Sequence, residues 1–407
     1  MAGPLTGMKV VELQGRGPGP FGAMILADLG AEVVRVSRLD DVDPSDEETD
    51  SERMVRGHRR IDLLTRGRRS VAVDIRRPEG RDCALGLIDK ADVLIEGFRP
   101  GVVERLGLGP EACLQRNPGL VYARITGWGQ EGPYASTPGH DINYVALAGA
   151  LNALRISTGD APRPPLNLLG DFGGGGMILV IGILGALFER SRSGRGQVVD
   201  ASMIDGVALL TTLFHGLRAE GLWSDAPGTN VLDLGTPYYN VYATADGRYI
   251  TIGAGEPQFY AELLKRLDLT DDDLLQRRDD PATWNAARAR LVEVFKTKTR
   301  DEWCTLLEGG DVCFAPVLTF DEAPKHPHNQ ARQTFVEVEG VVQPAAAPRF
   351  SRTPPSEPGR PTAAGQHTEE VLLDWGFSAQ DVNALLGAGV VRQAGALNSQ
   401  ARAQEQT

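Results

Sequence analysis

One pattern constrains the fold of this chain more than any other. Lys9-Val10-Val11-Glu12-Leu13 is followed by a Gly/Pro loop from Gly15 to Pro20, an apolar run over 21–29 stopped by Gly30, and Glu32-Val33-Val34-Arg35-Val36. Two short β-branched runs separated by a helical stretch read as a β-α-β unit, whose strands lie parallel. The alternation goes on with a strand at 70–74, a helix over 81–90, a strand at 92–96, a turn at 97–101, a helix over 102–106 and a strand at 120–125. This predicts an α/β large domain, with ligands at the C-terminal ends of the strands. Gly17, Gly19 and Gly22 match G-x-G-x-x-G in form. Pro18 and Pro20 remove N–H groups that a pyrophosphate would need, which weakens a nicotinamide or flavin reading.

The second half predicts an apolar helix over 177–188, too short to span a bilayer, then a strand at 197–203 and one long helix over 204–220. A Gly/Pro-rich linker covers 227–237. A hairpin over 238–252, turning at Asp246-Gly247, and helices over 259–267, 284–296 and 300–307 make a smaller α/β unit. Strands over 335–350 and helices over 369–375 and 379–386 follow, and the polar end from Arg392 is expected to be disordered. The chain has 407 residues, enough for two domains. A net charge of −12 argues against nucleic-acid and anionic-membrane partners. Cys83, Cys113, Cys304 and Cys313 show neither CxxC nor metal-ligand spacing, so no metal is expected. Free thiols, no basic-then-apolar leader and no peroxisomal C-terminal address together suggest a cytoplasmic protein.

Chemistry concentrates between Pro138 and Met177. His140 and Asp171 each stand in a glycine-flanked loop before an apolar helix. An imidazole and a carboxylate on opposite sides of a carbon can remove a proton from one face and return one to the other. The plainer readings are a loop histidine and a helix N-cap. Four glycines at 173–176 have poor helix propensity just where the helix starts, and their physical use is close backbone approach to a ligand. A second concentration is cationic: Arg53, Arg56, His58, Arg59, Arg60, Arg66, Arg68, Arg69, Arg76 and Arg77 follow an acidic run over 40–52. It suggests anion recognition, against the alternative that the two runs pair with each other.

Several motifs carry a family resemblance. They are Gly7–Leu13, Asp28-Leu29-Gly30-Ala31-Glu32-Val33-Val34-Arg35-Val36, Asp92-Val93-Leu94-Ile95-Glu96-Gly97-Phe98-Arg99-Pro100-Gly101, Thr126-Gly127-Trp128-Gly129, and Gly194-Arg195-Gly196-Gln197-Val198-Val199-Asp200. With them the chain resembles the CaiB/BaiF family, the family III CoA transferases and their racemase relatives, over residues 7–391. Gly139-His140-Asp141-Ile142-Asn143-Tyr144, Gly170-Asp171-Phe172-Gly173-Gly174-Gly175 and Glu256-Pro257-Gln258-Phe259-Tyr260 resemble the racemase branch.

The resemblance implies the family III CoA-transferase fold, a Rossmann-like large domain plus a smaller α/β domain, in an interlocked homodimer with an active site shared between chains. It divides the chain into a large CoA-binding domain over 1–200, a helix and linker over 201–229, a small domain over 230–320, a returning segment over 321–391 and a tail over 392–407. It implies acyl-CoA binding by Arg38, Arg76, Arg99 and Arg105, with Val73, Asp74, Ile75, Gly97, Phe98 and the stretch Gly139, His140, Asp141, Ile142, Asn143 and Tyr144. Lysine is common in the family where Arg76 stands. The implied reaction is two-base epimerisation of 2-methylacyl-CoA by His140 and Asp171, with Glu256 orienting His140. Backbone N–H groups of the glycine stretch are expected to hold the enolate oxygen. No cofactor is implied beyond the coenzyme A of the substrate. The alternative within the family is a CoA transferase with Asp171 as nucleophile; His140 speaks against it, since transferases generally have another residue there. The alternative outside catalysis is an acyl-CoA-binding protein.

Overall fold

The computed structural model describes residues 3–42, 49, 51–53 and 61–395. The chain divides into two compact units, one of Met1–Ala148, Pro165–Leu210 and Gln333–Thr407, the other of Gly149–Pro164 and Thr211–Arg332. Gly149–Pro164 was expected in the large domain and groups instead with the second unit.

The first unit is built on a seven-stranded sheet. Its strands are β1 (Lys9–Leu13), β2 (Glu32–Ser37), β3 (Arg69–Val73), β4 (Val93–Glu96), β5 (Val121–Thr126), β6 (Val198–Ser202) and the short Val391–Arg392. The spatial order is Val391–Arg392, β3, β2, β1, β4, β5, β6. All pairs are parallel except Val391–Arg392 against β3. Side chains alternate between two apolar layers, as a parallel sheet covered on both faces requires. Val11, Leu13, Val34, Val36, Leu94 and Tyr122 face one layer. Val10, Val33, Val93, Ile95 and Val121 face the other. Each fully buried valine or leucine contributes about 1.5–3 kcal/mol.

Helix α1 (Pro18–Asp28) and helix α4 (Leu168–Ser193) cover the second layer. Helix α2 (Pro78–Ile88) and the helices Thr368–Asp374 and Ala379–Gly387 cover the first. Helix α1 starts earlier than position 21 because Pro18 fills its first turn, where a missing N–H costs nothing. Helix α4 is longer than the predicted 177–188: its first ten residues, Leu168–Met177, wind as a π-helix before Ile178–Ser193 continue as α. At 26 residues it is long and apolar enough by length and composition to cross a membrane, contrary to the expectation from sequence. Its Leu179, Val180 and Ile183 lie in the core against the sheet.

The returning segment completes this unit. Asp74 donates its N–H to the Val390 carbonyl (2.9 Å), and Arg392 pairs with Ala72. Arg392 is thus a strand residue rather than the start of the tail. Of the expected disordered tail, 396–407 lies outside the described residues, as do Arg56, His58, Arg59 and Arg60.

The second unit has a three-stranded antiparallel sheet of β7 (Tyr239–Ala243), β8 (Tyr249–Gly253) and β9 (Phe314–Pro316). Tyr242, Ile250, Ile252, Leu263, Leu291, Phe295 and Trp303 form its core. The predicted helix over 204–220 is two helices, α5 (Met203–Leu210) in the first unit and Thr212–Ala219 in the second. The stretch read as a linker is an ordered loop. The Asp233 carboxylate accepts the N–H groups of Gly228 (3.0 Å), Thr229 (3.3 Å), Asn230 (2.8 Å) and Gly235 (3.2 Å). One side chain thus satisfies backbone donors that the loop cannot pair with itself.

Candidate active site

The sheet order reverses between β1 and β4, and the crevice outside the C-terminal ends of those strands is where ligands of open α/β sheets bind. The loop after β1 runs through Gly17, which has φ +63. A Cβ there would stand 2.8 Å from Oδ2 of Asp171. The glycine loop therefore holds a carboxylate of its own chain, and the dinucleotide reading of Gly17, Gly19 and Gly22 falls.

Asp171 is not a helix cap. It is the fourth residue of the π-wound start of α4, where the N-cap position belongs to Asn167. Asn167 donates from Nδ2 to Asp171 Oδ2 (3.2 Å). Short π-helical segments are rare and recur at functional sites. The glycines here pack against protein: Gly174 meets Gly206 and Val207 of α5, and a Cβ on Gly174 would lie 2.7 Å from the Val207 backbone N. The tract lets two helices meet backbone to backbone.

His140 is the exposed N-cap of helix α3 (Asp141–Leu147), and its N–H donates to Oδ1 of Asn143 (3.0 Å). Asp141 is buried, and its Oδ2 accepts the N–H of Gly170 (2.6 Å) and of Asp171 (2.8 Å). One carboxylate thus ties the His140 helix to the Asp171 helix. Burial raises the Asp171 carboxyl above the ordinary carboxylate range; the Asn167 bond opposes this, Asp141 adds to it, and His140 opposes it. Tyr144 lies over Gly127 and edge-on to Trp128 (4.7 Å between rings). Burial pushes its hydroxyl up to about 12, with Asp171 adding and Arg99 opposing, so it remains a donor.

The residues expected to hold CoA follow the C-terminal ends of three parallel strands of one sheet: Arg38 after β2, Asp74, Ile75 and Arg76 after Val73 of β3, and Gly97, Phe98 and Arg99 after β4. Glu96, buried at the end of β4, accepts the Phe98 N–H (2.8 Å) and Arg124 Nε (2.7 Å), which fixes the turn from below. Arg124 also pairs with Glu104 (2.9 Å), beside Arg105. Arg76 bonds Asp74 (2.8 Å) and is otherwise exposed. Three other arginines of the cluster have a different role. Arg66 pairs with Asp28, Arg68 with Glu12, and Arg69 with Glu32, Glu370 and Asp374. Neither anion recognition nor pairing with the acidic run describes these three; they bind the sheet and the returning segment together.

Glu256 belongs to the second unit, as the exposed N-cap of helix α6 (Pro257–Arg266).

Residues 5–368 match CoA-transferase family III. The chain belongs to that family. Within family III, it is 47% identical over 381 residues to alpha-methylacyl-CoA racemase of Mus musculus, covering 93% of this chain and 95% of that one. It is 44% identical over 384 residues to alpha-methylacyl-CoA racemase of Homo sapiens, with the same coverage. A crystal structure of a CAIB/BAIF family protein from Brucella suis superposes with TM-score 0.77 at 27% identity, over 92% of this chain and all of that one.

Sequence reading missed Asn167, Arg124 and the anchoring role of Asp141. The Asn four residues before Asp171 was a usable signal, because helical residues four apart share a face. Nothing local marked Arg124.

Proposed function

We propose that this protein interconverts the epimers of 2-methylacyl-CoA thioesters by 1,1-proton transfer, with no cofactor beyond the CoA of the substrate. The observation that carries the reading is that Asp141, next to His140 at the head of α3, binds the backbone of Asp171, so that an imidazole and a half-buried carboxylate stand on two helices tied together. His140 takes the α-proton of one epimer, and its electron pair moves into the thioester carbonyl as an enolate. Protonated Asp171 returns a proton to the other face, and the reverse direction exchanges the roles. A raised carboxyl suits the acid half of this cycle. The glycine stretch expected to hold the enolate oxygen packs against protein, and the N–H groups of Gly170 and Asp171 just before it are committed to Asp141. Those of Asp141 and Ile142, at the start of α3, have no protein acceptor among the described residues and replace them in this reading.

Arg38, Arg99 and Arg105, with no carboxylate partner among the described residues, would take the CoA phosphates together with Arg76. In this reading Glu256 orients His140 from the second chain of an interlocked homodimer. Ile181, Leu184 and Phe188, exposed on one flank of α4, support a partner surface. Four free cysteines support a cytoplasmic location.

The test is incubation of each pure epimer in D2O, following α-deuteration and inversion. The wild type should deuterate and invert both. His140→Ala and Asp171→Ala should each abolish inversion, with opposite residual exchange preferences. Loss of exchange of the same epimer in both variants would refute the two-base site. Absence of exchange, together with CoA transfer to an added carboxylic acid, would make the protein a transferase.

A further inference from the structure

The second unit contains a partly buried cation that the mechanism above does not use. The Arg278 side chain is 13% exposed. Its guanidinium lies over the Tyr238 ring (4.4 Å to the centroid) and the Tyr260 ring (5.5 Å). Both tyrosines are buried. Tyr260 is held by donating its hydroxyl to the Leu275 carbonyl (3.0 Å), and the Arg278 backbone is held by Trp284, whose Nε1 donates to the Arg278 carbonyl (2.7 Å). Arg278 Nη2 donates to the carbonyl of Gly255, the residue before Glu256. Nη1 has no partner among the described residues, and the one ion-pair neighbour, Asp279 at 3.2 Å from Nε, is itself 82% exposed. An exposed pair of that kind contributes little.

The Gly255 turn is thus gripped on both sides. Its N–H donates back to the Gly253 carbonyl (2.8 Å), and its carbonyl accepts from Arg278. What the turn presents is Glu256, an N-cap whose side chain makes no cap hydrogen bond and has no ion pair among the described residues. Holding a guanidinium between two rings and a turn carbonyl is explained if the direction of the Glu256 carboxylate matters. Arginine suits the place because its flat fork stacks on a ring and donates in its own plane at once, which an ammonium cannot do.

We infer that Arg278 is a positioning residue of the reaction: through the Gly255 carbonyl it fixes the turn that aims Glu256. The inference rests on the reading that Glu256 serves His140. The experiment compares Arg278→Ala, Arg278→Lys, Glu256→Ala and the double variant Arg278→Ala/Glu256→Ala in the full-length enzyme. It follows epimer inversion and α-proton exchange. A misplaced catalytic contact costs on the order of 10²-fold. Arg278→Ala should therefore lower kcat about ten- to a hundredfold with KM for acyl-CoA nearly unchanged. The same change in the Glu256→Ala background should cost almost nothing more. Millimolar guanidinium should restore part of kcat to Arg278→Ala and none to the double variant. Arg278→Lys keeps the charge and should lose less than Arg278→Ala, and it carries the test if the alanine variant does not fold. A soluble Arg278 variant with wild-type kcat, or losses that add in full to an impaired Glu256→Ala, would overturn this inference alone. An undiminished Glu256→Ala enzyme would remove the role of Glu256 first, and the inference with it.

Discussion

Asp141→Asn separates the two tasks assigned to one buried carboxylate. Oδ2 of Asp141 accepts two backbone N–H groups, at 2.6 and 2.8 Å, while Oδ1 has no partner. Hydrogen bonds to a charged group contribute about 1.5–3 kcal/mol each, and neutral ones about 0.5–1.5. Neutralising the acceptor therefore costs about 2 kcal/mol over two bonds. The new amide also buries an NH2 where Oδ1 was unpartnered, for about 1 kcal/mol more. Relief from burying a charge offsets part of this, leaving a net loss of about 1–3 kcal/mol. Urea unfolding should show a lower midpoint with an unchanged slope. The charge of Asp141 contributes to the raised Asp171 carboxyl, so its removal must lower that carboxyl. For the epimer whose exchange Asp171→Ala abolishes, the acid limb of kcat/KM should then move to lower pH, while kcat falls because the anchor of Asp171 is loosened. An unchanged midpoint, or an acid limb that stays put or moves up, would refute the anchoring role.

Asn167→Ala should shift the same acid limb the other way, to higher pH, because the Asn167 bond lowers the Asp171 carboxyl. Asp171→Asn should abolish inversion yet stabilise the fold near neutrality. The folded-state carboxyl is raised, so its ionised form disfavours the fold above the ordinary carboxylate range, and the gain should vanish in acid unfolding below that range. Arg124→Met leaves Glu96 buried with the Phe98 N–H as its remaining partner at the turn. Breaking a buried pair costs about 3–5 kcal/mol. CoA affinity by calorimetry should fall along with stability. Gly127→Ala drives a methyl group into the Tyr144 ring, so thermal unfolding should report a loss of about 1–3 kcal/mol and a crystal structure a displaced Tyr144.

The strand-helix alternation, the parallel sheet and the hairpin of the second unit could be read from the sequence alone. β-branched runs, Gly stops and an Asp-Gly turn act on the few residues around them. The position of His140 at the head of a helix was legible for the same reason. The surroundings of Asp171 were not. The carboxylate sits against Gly17, a turn more than 150 positions earlier in the chain, and its backbone is tied to Asp141, 30 positions away. The glycines around it looked like a ligand cradle but are the seam between two helices, a difference that exists only once Gly206 is brought onto Gly174. Arg66, Arg68 and Arg69 looked like an anion site because a run of charges says nothing about its partners. Those partners, Asp28, Glu12 and Glu370, come from α1, β1 and the returning helix. Local pattern determined which elements form, since backbone propensity and hydrophobic period act over a few residues. Which charges are satisfied, and which carboxyl is left raised, depends on distances through space, and only the packed sheet and its covering helices set those.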